Sequence, residues 1–403
     1  MNLLVEGIKN GTVIKTELTT KLTLDGLTDV YPIYKIRLDN LYFNDRNDRI
    51  ATWISKYKAE NNLDDIDHTN LREYNEIIKS FIEASNPERL KNTQNNIEFI
   101  GQQKSGIVLN DGRIIDGNRR YTCLTNLAKK DPKFNYFEAV ILDKDIEYNA
   151  KQIKMLELQV QIGEDTKVDY DPIDRLVGVY RDVVENKLLT IHEYAMSTNQ
   201  SEKDVQKLID IATLLVEFLE TINAPNKFYI ARELDLNGPL YELHGILKKI
   251  KDEEQKEAVK YAVFTNFLMQ PNKDMTRFVR QIKSIATSKY LDEFIEKESE
   301  IAEEVLDSIP SPENVTEESI SKVRENKAIK EKLEDTMEIV TNKVKVTDTK
   351  NKPNQILTKI YDSLEEIDTN IFVKLSDDQK EEIMDKLDLI DAKVEEIRGS
   401  IDV

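Results

Sequence analysis

The sequence predicts an α+β fold, in which a domain of strands and helices over residues 1–150 precedes two mostly α-helical domains over 151–290 and 291–403. Apolar and polar residues alternate in the first 50 residues, which is typical of strands. Apolar residues at three- and four-residue steps over 66–87 indicate a helix. From residue 150 onward the helical spacing predominates, so we expect the sheet to be confined to the N-terminal domain.

The composition excludes several classes of protein. No run approaches 18 apolar residues, and the N-terminus lacks the basic and apolar segments of a signal peptide, so we expect a cytoplasmic protein that does not enter the membrane. A single cysteine excludes internal disulfides and cysteine-based metal clusters. Three scattered histidines argue against a catalytic zinc.

The formal charge of −19 is unevenly distributed along the chain. Residues 291–403 contain 31 acidic and 16 basic residues, whereas residues 1–290 contain 45 acidic and 41 basic residues. The first 290 residues are therefore almost neutral and could still present a local basic surface to an anionic partner.

A strand–turn–strand–helix unit is predicted in the middle of the N-terminal domain. Ile107–Leu109 and Arg113–Ile115 are apolar strands, and the sequence Asn110–Gly112 between them is typical of a tight turn. A helix is expected from about Asn118, with a further strand at Phe137–Leu142. The second strand of the hairpin therefore leads almost directly into a helix.

The junction between this strand and this helix has the features of a phosphate-binding site. Gly117 permits a tight turn and close approach by a ligand. The first helical N–H groups carry a partial positive charge, and Arg119 and Arg120 add planar donors that suit phosphate oxygens. Asp116 can cap the helix or orient the arginines, although both arginines could instead be exposed and paired with Asp111 or Asp116. The predicted phosphate site comprises Asp116, Gly117, Asn118, Arg119 and Arg120.

The segments around this site resemble the ParB/sulfiredoxin superfamily. Ile36–Leu41, followed by Asn47–Arg49, is similar to the first strand of that family and its Asn/Arg-rich continuation. Gly101–Leu109 resembles the family's Gln-x-x-Pro-Ile-Val-Val strand, with Ser105-Gly106 in place of the proline step. Arg113–Leu124 resembles its phosphate box. The resemblance covers roughly residues 33–145, interrupted by a long insertion, and implies a ParB-like fold that binds CTP or ATP with Mg²⁺.

The residue after the glycine separates the members of this superfamily. Sulfiredoxins place a catalytic cysteine there and ParB proteins place a glutamate, whereas this chain has Asn118. The only cysteine, Cys123, lies later on the helix and is expected to pack in the core, which disfavours sulfiredoxin activity. The sequence therefore leaves open which nucleotide base is bound and whether the phosphates are hydrolysed.

A second part of the chain resembles the family helix that holds metal and triphosphate. Leu156–Gln161 and the later Asp169–Asp174 are similar to that helix and its sequel, although Leu158 replaces the usual asparagine and the basic end is missing. The resemblance implies that Glu157 is a Mg²⁺ ligand or catalytic carboxylate and that Gln161 positions phosphate or water. The alternative is an ordinary solvated helix face.

A helix-turn-helix is predicted over Ile191–Leu208, at the place where ParB relatives carry one. Ala195 suits the helix crossing, Asn199 can adopt the left-handed turn, and Ser201 with Asp204 resembles a capping pair. A more basic helix follows over Asn272–Lys289. The alternative is a helical packing unit, because Glu202 and Asp204 offset the charge of the second helix. The predicted DNA-binding residues are Ser201, Lys203, Lys207, Arg277, Arg280 and Lys283.

The C-terminal region is predicted to form two helices with coiled-coil-like seams. Breaks are expected at Pro310 and Pro312 and again at Lys343–Asn354, which contains Pro353. Apolar residues then recur at coiled-coil spacing, and Ser376 is expected to cap the second helix. The seam residues are Leu357, Ile360, Leu364, Ile367 and Ile371, then Ile383, Leu387, Ile390, Val394, Ile397 and Ile401.

Three functions are consistent with these features. The first is a homodimeric, ParB-like, nucleotide-dependent DNA-binding protein, acting as a switch or an NTPase. The second is an enzyme on the same fold, a nuclease or small-molecule kinase of a phage-related or mobile-element system. The third is an interaction module that binds a protein partner through its acidic C-terminal helices. The order of phosphate box and helix-turn-helix favours the first, and the acidic C-terminal region is the main argument against it.

Overall fold

The computed structural model describes residues 2–24, 26–146, 148–163 and 171–401. It confirms an α+β chain with an N-terminal sheet and a mostly helical remainder. The chain forms two compact units, Met1–Val340 and Thr341–Val403, while the domain boundaries predicted at residues 150 and 290 stay predictions. Asp169 and Tyr170, which belong to a segment that resembles the family, lie outside the described residues.

Five strands form one mixed sheet in the order β1-β2-β5-β3-β4. Only β3 and β5 are parallel, and the other neighbouring strands are antiparallel. The strands predicted at Ile107–Leu109, Arg113–Ile115 and Phe137–Leu142 are present to within one residue. The segment Ile36–Leu41, which resembles the first strand of the family, is a strand only as far as Arg37, because Leu38–Asn40 forms a 3₁₀ turn. Their bounds are Val13–Leu24 (β1), Leu27–Arg37 (β2), Gly106–Leu109 (β3), Ile114–Asp116 (β4) and Tyr136–Leu142 (β5).

The sheet is covered on both faces near β3 and β5. Phe137, Ala139 and Ile141 of β5 point into one apolar cluster, while the alternate residues Val140 and Leu142 point into another. This alternation follows from the two-residue period of a strand. The central strands are therefore fixed on both sides and hold the residues that follow β4 in place.

Within the described residues, five α-helices belong to the N-terminal part of the chain. Helices α2 and α4 contribute to one apolar cluster and α5 contributes to the other. A π-helical turn, Gln159–Gly163, continues α5. The bounds of these helices are Ala51–Glu60 (α1), Leu71–Ser85 (α2), Pro87–Ile100 (α3), Asn118–Ala128 (α4) and Ala150–Leu158 (α5).

The middle of the chain is helical, and the segment predicted to be a helix-turn-helix consists of two helices, α7 and α8, joined by a turn. Asn199 has a φ of 52° and makes the left-handed turn between these two helices. The Asp204 N–H donates to Ser201 Oγ at 3.1 Å, which confirms the predicted cap. The bounds are Pro172–Val179 (α6), Ile191–Thr198 (α7), Glu202–Thr221 (α8), Phe228–Glu233 (α9), Asn237–Leu247 (α10), Glu253–Met269 (α11), Met275–Ile285 (α12), Leu291–Leu306 (α13) and Glu317–Arg324 (α14).

Two long helices end the chain, α15 (Lys327–Glu365) and α16 (Asp377–Ile401). The break predicted at Lys343–Asn354 is wrong, because α15 runs through Pro353 without interruption. That segment is polar but contains no glycine and only one proline, which removes a single backbone donor rather than ending the helix. The predicted cap is present, since the Gln379 N–H donates to Ser376 Oγ at 3.4 Å. Within the described residues, no helix is long and apolar enough to cross a membrane.

Candidate functional site

A cleft of about 350 Å³ lies where β4 meets the start of α4. All five residues of the predicted phosphate site line it, and the π turn after α5 and the segment before α1 complete its walls. Its lining residues are Asn47, Arg49, Ile50, Ile82, Ser85, Thr93, Lys104, Asp116, Gly117, Asn118, Arg119, Arg120, Val160 and Gln161. The cleft therefore combines four cationic side chains with polar groups and a small apolar wall.

Gly117 has a local structural reason to be glycine. Its φ of 108° lies in the region that side chains with a Cβ rarely adopt. A Cβ at this position would lie 2.6 Å from the ring of Phe137 and 3.1 Å from an Arg120 nitrogen. Any other residue here would therefore strain the backbone and push into the cleft wall.

Asp116 orients Arg120 within the cleft. An Arg120 guanidinium nitrogen donates to Asp116 Oδ2 at 2.6 Å, and both side chains are largely shielded from solvent. Asp111, the other predicted partner for the arginines, instead accepts hydrogen bonds from the Tyr42 hydroxyl and the Arg113 N–H. Of the two roles predicted for Asp116, the described structure shows orientation rather than helix capping. Asp116 thus holds the Arg120 guanidinium along one edge.

Two polar atoms of the phosphate site are buried without a hydrogen-bond partner among the described residues. They are Asn118 Oδ1 and Arg120 Nε. Buried polar atoms are seldom left unpaired in folded proteins, because each one loses its hydrogen bonds to water. Both side chains line the cleft, so a bound ligand or water could satisfy them.

Arg49 and Lys104 were not among the predicted site residues. An Arg49 guanidinium nitrogen donates to the Gln161 carbonyl at 3.1 Å, which ties the segment before α1 to the π turn after α5. The segment Asn47–Arg49 resembles the Asn/Arg-rich segment of the family, and this resemblance is the sequence feature that points to Arg49. Lys104 lies in the loop before β3, within the segment Gly101–Leu109 that resembles the family, but nothing in that resemblance distinguishes the lysine as a site residue.

Glu157 and Gln161 occupy different positions relative to the cleft. Gln161 lines it, while Glu157 is buried behind it and contacts it through the Gln161 side chain. Gln161 Nε2 donates to Glu157 Oε1 at 3.2 Å. Glu157 is therefore placed to position Gln161, and in the described structure it does not itself line the phosphate cleft.

Glu157 belongs to a buried group of charges around Lys154. The Lys154 ammonium lies 2.7 Å from Asp48 Oδ2, 3.4 Å from Asp182 Oδ2 and 3.7 Å from Glu157 Oε2. Three carboxylates share this one ammonium, and burial raises the pKa of Glu157 and that of Asp182 to about 7. We call Asp48, Lys154, Glu157 and Asp182 the buried charge cluster.

The cluster bears on the predicted magnesium role of Glu157. The Lys154 ammonium already provides the positive charge next to this carboxylate. Among the described residues, no three His, Cys, Asp or Glu side chains are arranged to hold a metal ion. A cation at Glu157 would have to displace the ammonium, so binding of Mg²⁺ there stays a prediction.

A second cavity, of about 600 Å³, lies against the other side of the buried charge cluster. Lys154, Glu157 and Asp182 form part of its wall, and Arg46 and Arg181 also line it. Glu157 thus lies between this cavity and the phosphate cleft.

The buried charge cluster also adjoins α7, the first helix of the predicted helix-turn-helix. Tyr194 of α7 is buried beside the cluster, and the pKa of its hydroxyl is raised by burial and by the nearby charges of Asp48 and Asp182. On the surface, the Lys151 ammonium of α5 lies 2.6 Å from a carboxylate oxygen of Glu193 on α7. Helix α5, which lies behind the phosphate cleft, is therefore packed directly against α7.

The predicted DNA-binding residues lie on two helices that flank α10. Lys203 and Lys207 are exposed on α8, and the Lys207 ammonium lies 5.1 Å from the centre of the Tyr241 ring on α10. Arg280 of α12 donates to Glu242 of α10 at 2.8 Å. The remaining predicted residues, Ser201, Arg277 and Lys283, are exposed.

Cys123 is buried on α4 and its thiol donates to the Leu90 carbonyl at a distance of 3.6 Å. Burial raises the pKa of this thiol to about 12. A protonated, buried thiol is a poor nucleophile, which agrees with the predicted packing role.

A comparison with models of known protein families finds no match, and neither does a comparison with curated protein sequences.

Proposed function

We propose that the chain is a ParB-like nucleotide-binding protein that binds the phosphates of CTP or ATP, with Mg²⁺, in the cleft at the start of α4. The observation that supports this most strongly is the convergence of Arg49, Lys104, Arg119 and Arg120 on one cleft. These cations surround the N-terminus of a helix that begins at a left-handed glycine. Helix N–H groups and guanidinium groups together suit phosphate oxygens.

In this proposal the protein is also a homodimer that binds DNA through its helix-turn-helix, and nucleotide binding controls that activity. The coupling between nucleotide binding and DNA binding would pass from Gln161 in the cleft to Glu157, and then through the buried charge cluster to α7. Lys203 and Lys207 would contact DNA phosphates from α8, with Arg277, Arg280 and Lys283 contributing from α12. A ligand that moves Gln161 would thereby act on the helices that hold DNA.

The test is calorimetric titration of the protein with CTP, ATP and GTP, each with Mg²⁺. We expect micromolar binding of one nucleotide that is lost in the double variant Arg119→Ala/Arg120→Ala. Lys130→Ala, an exposed change two residues after the same helix, is the matched control and should bind normally. If none of the three nucleotides binds, with or without DNA, the phosphate-site proposal is wrong.

A second candidate function, phosphoryl transfer to a small molecule, is favoured by the cavity on the far side of Glu157. A carboxylate with a pKa of about 7 suits a general base, and Glu157 lies between the phosphate cleft and this cavity. A phosphorus NMR assay distinguishes the two functions. Loss of nucleotide that depends on an added acceptor, and not on DNA, would favour the enzyme.

A further inference from the structure

The C-terminal unit, Thr341–Val403, has apolar side chains that its two helices leave uncovered. Apolar residues recur at coiled-coil spacing on both helices, yet no residue from Lys345 to Ile401 is buried. Ile360 is 43% exposed and Ile390 is 36% exposed, although both are seam residues. Seams of this kind normally pack against another helix.

Five of the uncovered apolar side chains line one groove. Ile390 of α16 lines it together with Ile356, Ile360 and Leu364 of α15 and with Ile367 just after that helix, so α16 folds back beside the end of α15. The groove is open along its length and has a volume of about 430 Å³. We call this pair of helices the C-terminal hairpin, with its tip at residues 361–388 and its base at 341–352 and 391–401.

Charge is segregated between the two ends of the hairpin. The tip contains ten acidic and three basic residues, whereas the base contains six basic and four acidic residues. Two hairpins packed tip to tip would bring two strongly acidic regions together. Two hairpins packed tip to base would place each acidic tip beside a basic base.

We propose that two copies of the chain pack their C-terminal hairpins together in antiparallel orientation, with each tip beside the other's base and the two grooves facing each other. The apolar seams supply the contact, and the segregated charge selects a second copy in this orientation. The inference deepens the homodimer in the proposed function by naming its surface and geometry. It requires neither nucleotide nor DNA, so a failed nucleotide titration leaves it untouched.

The first experiment measures the mass of the full chain by sedimentation without nucleotide. We expect a dimer that becomes monomeric in the double variant Ile360→Asp/Ile390→Asp. Leu389→Asp is the matched control, because it adds a charge to an exposed apolar residue of α16 outside the groove, and it should remain dimeric. A monomeric wild-type protein, or a groove variant that still dimerises, overturns the proposal.

The second experiment tests the orientation by cysteine cross-linking, for which the buried Cys123 gives a low background. Val346 near the base is 56% exposed and Val373 at the tip is 86% exposed. Mixing the variants Val346→Cys and Val373→Cys should give disulfide-linked dimers, while Val373→Cys alone should give few. Cross-linking of Val373→Cys alone, with no disulfide between positions 346 and 373 in the mixture, would show a parallel dimer and refute the antiparallel arrangement. A dimer with neither cross-link would equally refute it.

Discussion

Gln161 Nε2 donates to Glu157 Oε1 at 3.2 Å, and this hydrogen bond joins the phosphate cleft to the buried charge cluster. We expect Gln161→Leu to weaken nucleotide binding by about tenfold or more. The variant loses the proposed hydrogen bond from Gln161 to a charged phosphate, and a hydrogen bond to a charged group contributes about 1.5–3 kcal/mol. Calorimetry measures the affinity. Gln159→Leu, an exposed change on the same π turn, should have no effect. Unchanged affinity in the Gln161 variant would show that this residue does not contribute to nucleotide binding.

Gly117→Ala should destabilise the protein through both backbone strain and steric overlap. The left-handed conformation costs a residue with a Cβ about 1–2 kcal/mol, and overlap with Phe137 adds about 1–3 kcal/mol. Gly11→Ala is the matched control, because its φ is +70° but a Cβ there meets no atom within 4 Å among the described residues. Urea unfolding should show the larger loss for Gly117→Ala, and equal losses would exclude the Phe137 contact as a cause.

Lys154→Met should destabilise the protein by about 3–5 kcal/mol at pH 8.5, because it leaves three buried carboxylates without their cation. The loss should be smaller at pH 5.5. Burial already raises the pKa of Glu157 and of Asp182 to about 7, so at low pH these groups take up protons and lose their charge. Urea unfolding at both pH values measures this difference.

The control for Lys154 is Lys151→Met, which changes a half-exposed lysine on the same helix. It should cost little, since surface ion pairs contribute about 0–1 kcal/mol. A loss in Lys154→Met that is the same at both pH values would mean that the carboxylates do not change protonation as proposed.

Glu298 on α13 should make the stability of the protein depend on pH. It is fully buried and accepts a hydrogen bond from Asn266 at 2.7 Å, and burial raises the pKa of its carboxyl to about 8. The folded state therefore holds a proton that the unfolded state releases above its lower pKa. The stabilising contribution is complete below about pH 4.5, falls by about 1.4 kcal/mol per pH unit as pH rises, and is lost by about pH 8.

Glu298→Gln removes this titration, so the variant should gain stability relative to wild type between pH 5 and pH 8. Urea unfolding at several pH values measures the difference. Glu300→Gln changes an exposed residue of the same helix and should follow the wild-type dependence on pH. Parallel curves for the Glu298 variant and wild type would show that this carboxyl is not protonated in the fold.

Lys203→Ala/Lys207→Gln should weaken binding to DNA of any sequence, because interactions with phosphates carry no sequence information. The slope of log affinity against log salt should fall by roughly 0.9 for each DNA phosphate that is no longer neutralised by a lysine. Fluorescence anisotropy at several salt concentrations gives this slope. Lys322→Ala removes an exposed lysine from α14 and should leave it unchanged. An unchanged slope in the double variant would place DNA elsewhere or exclude it.

The parts of the site that could be predicted from sequence are contiguous along the chain. The hairpin of β3 and β4, the turn at Gly117 and the start of α4 follow one another within a few residues, so local patterns specify them. The buried charge cluster could not be predicted in this way. Asp48 and Lys154 are 106 residues apart, and only the folding of α5 against the segment before α1 brings them together.

The predicted break at Pro353 is a case in which a local sequence pattern gave the wrong prediction. A proline within a polar segment usually ends a helix, yet α15 continues through Pro353, which removes only one backbone donor. The coiled-coil spacing predicted two apolar seams, of which Ile360, Leu364, Ile367 and Ile390 line one groove. The first seam was predicted to extend to Ile371, but α15 ends at Glu365. Spacing within one chain does not reveal whether the covering helix comes from the same molecule or from another.

The ring of Phe137 has a consequence for tracing this protein through evolution. A Cβ at Gly106 would lie 2.3 Å from that ring, and a Cβ at Gly117 would lie 2.6 Å from it. Both glycines are thus required by packing, whatever the cleft binds. Descendants of this protein that had abandoned nucleotide binding would keep Gly106, Gly117 and Phe137 but would be free to replace Arg119 and Arg120. The arginines, and not the glycines, are therefore the positions whose retention marks an active lineage.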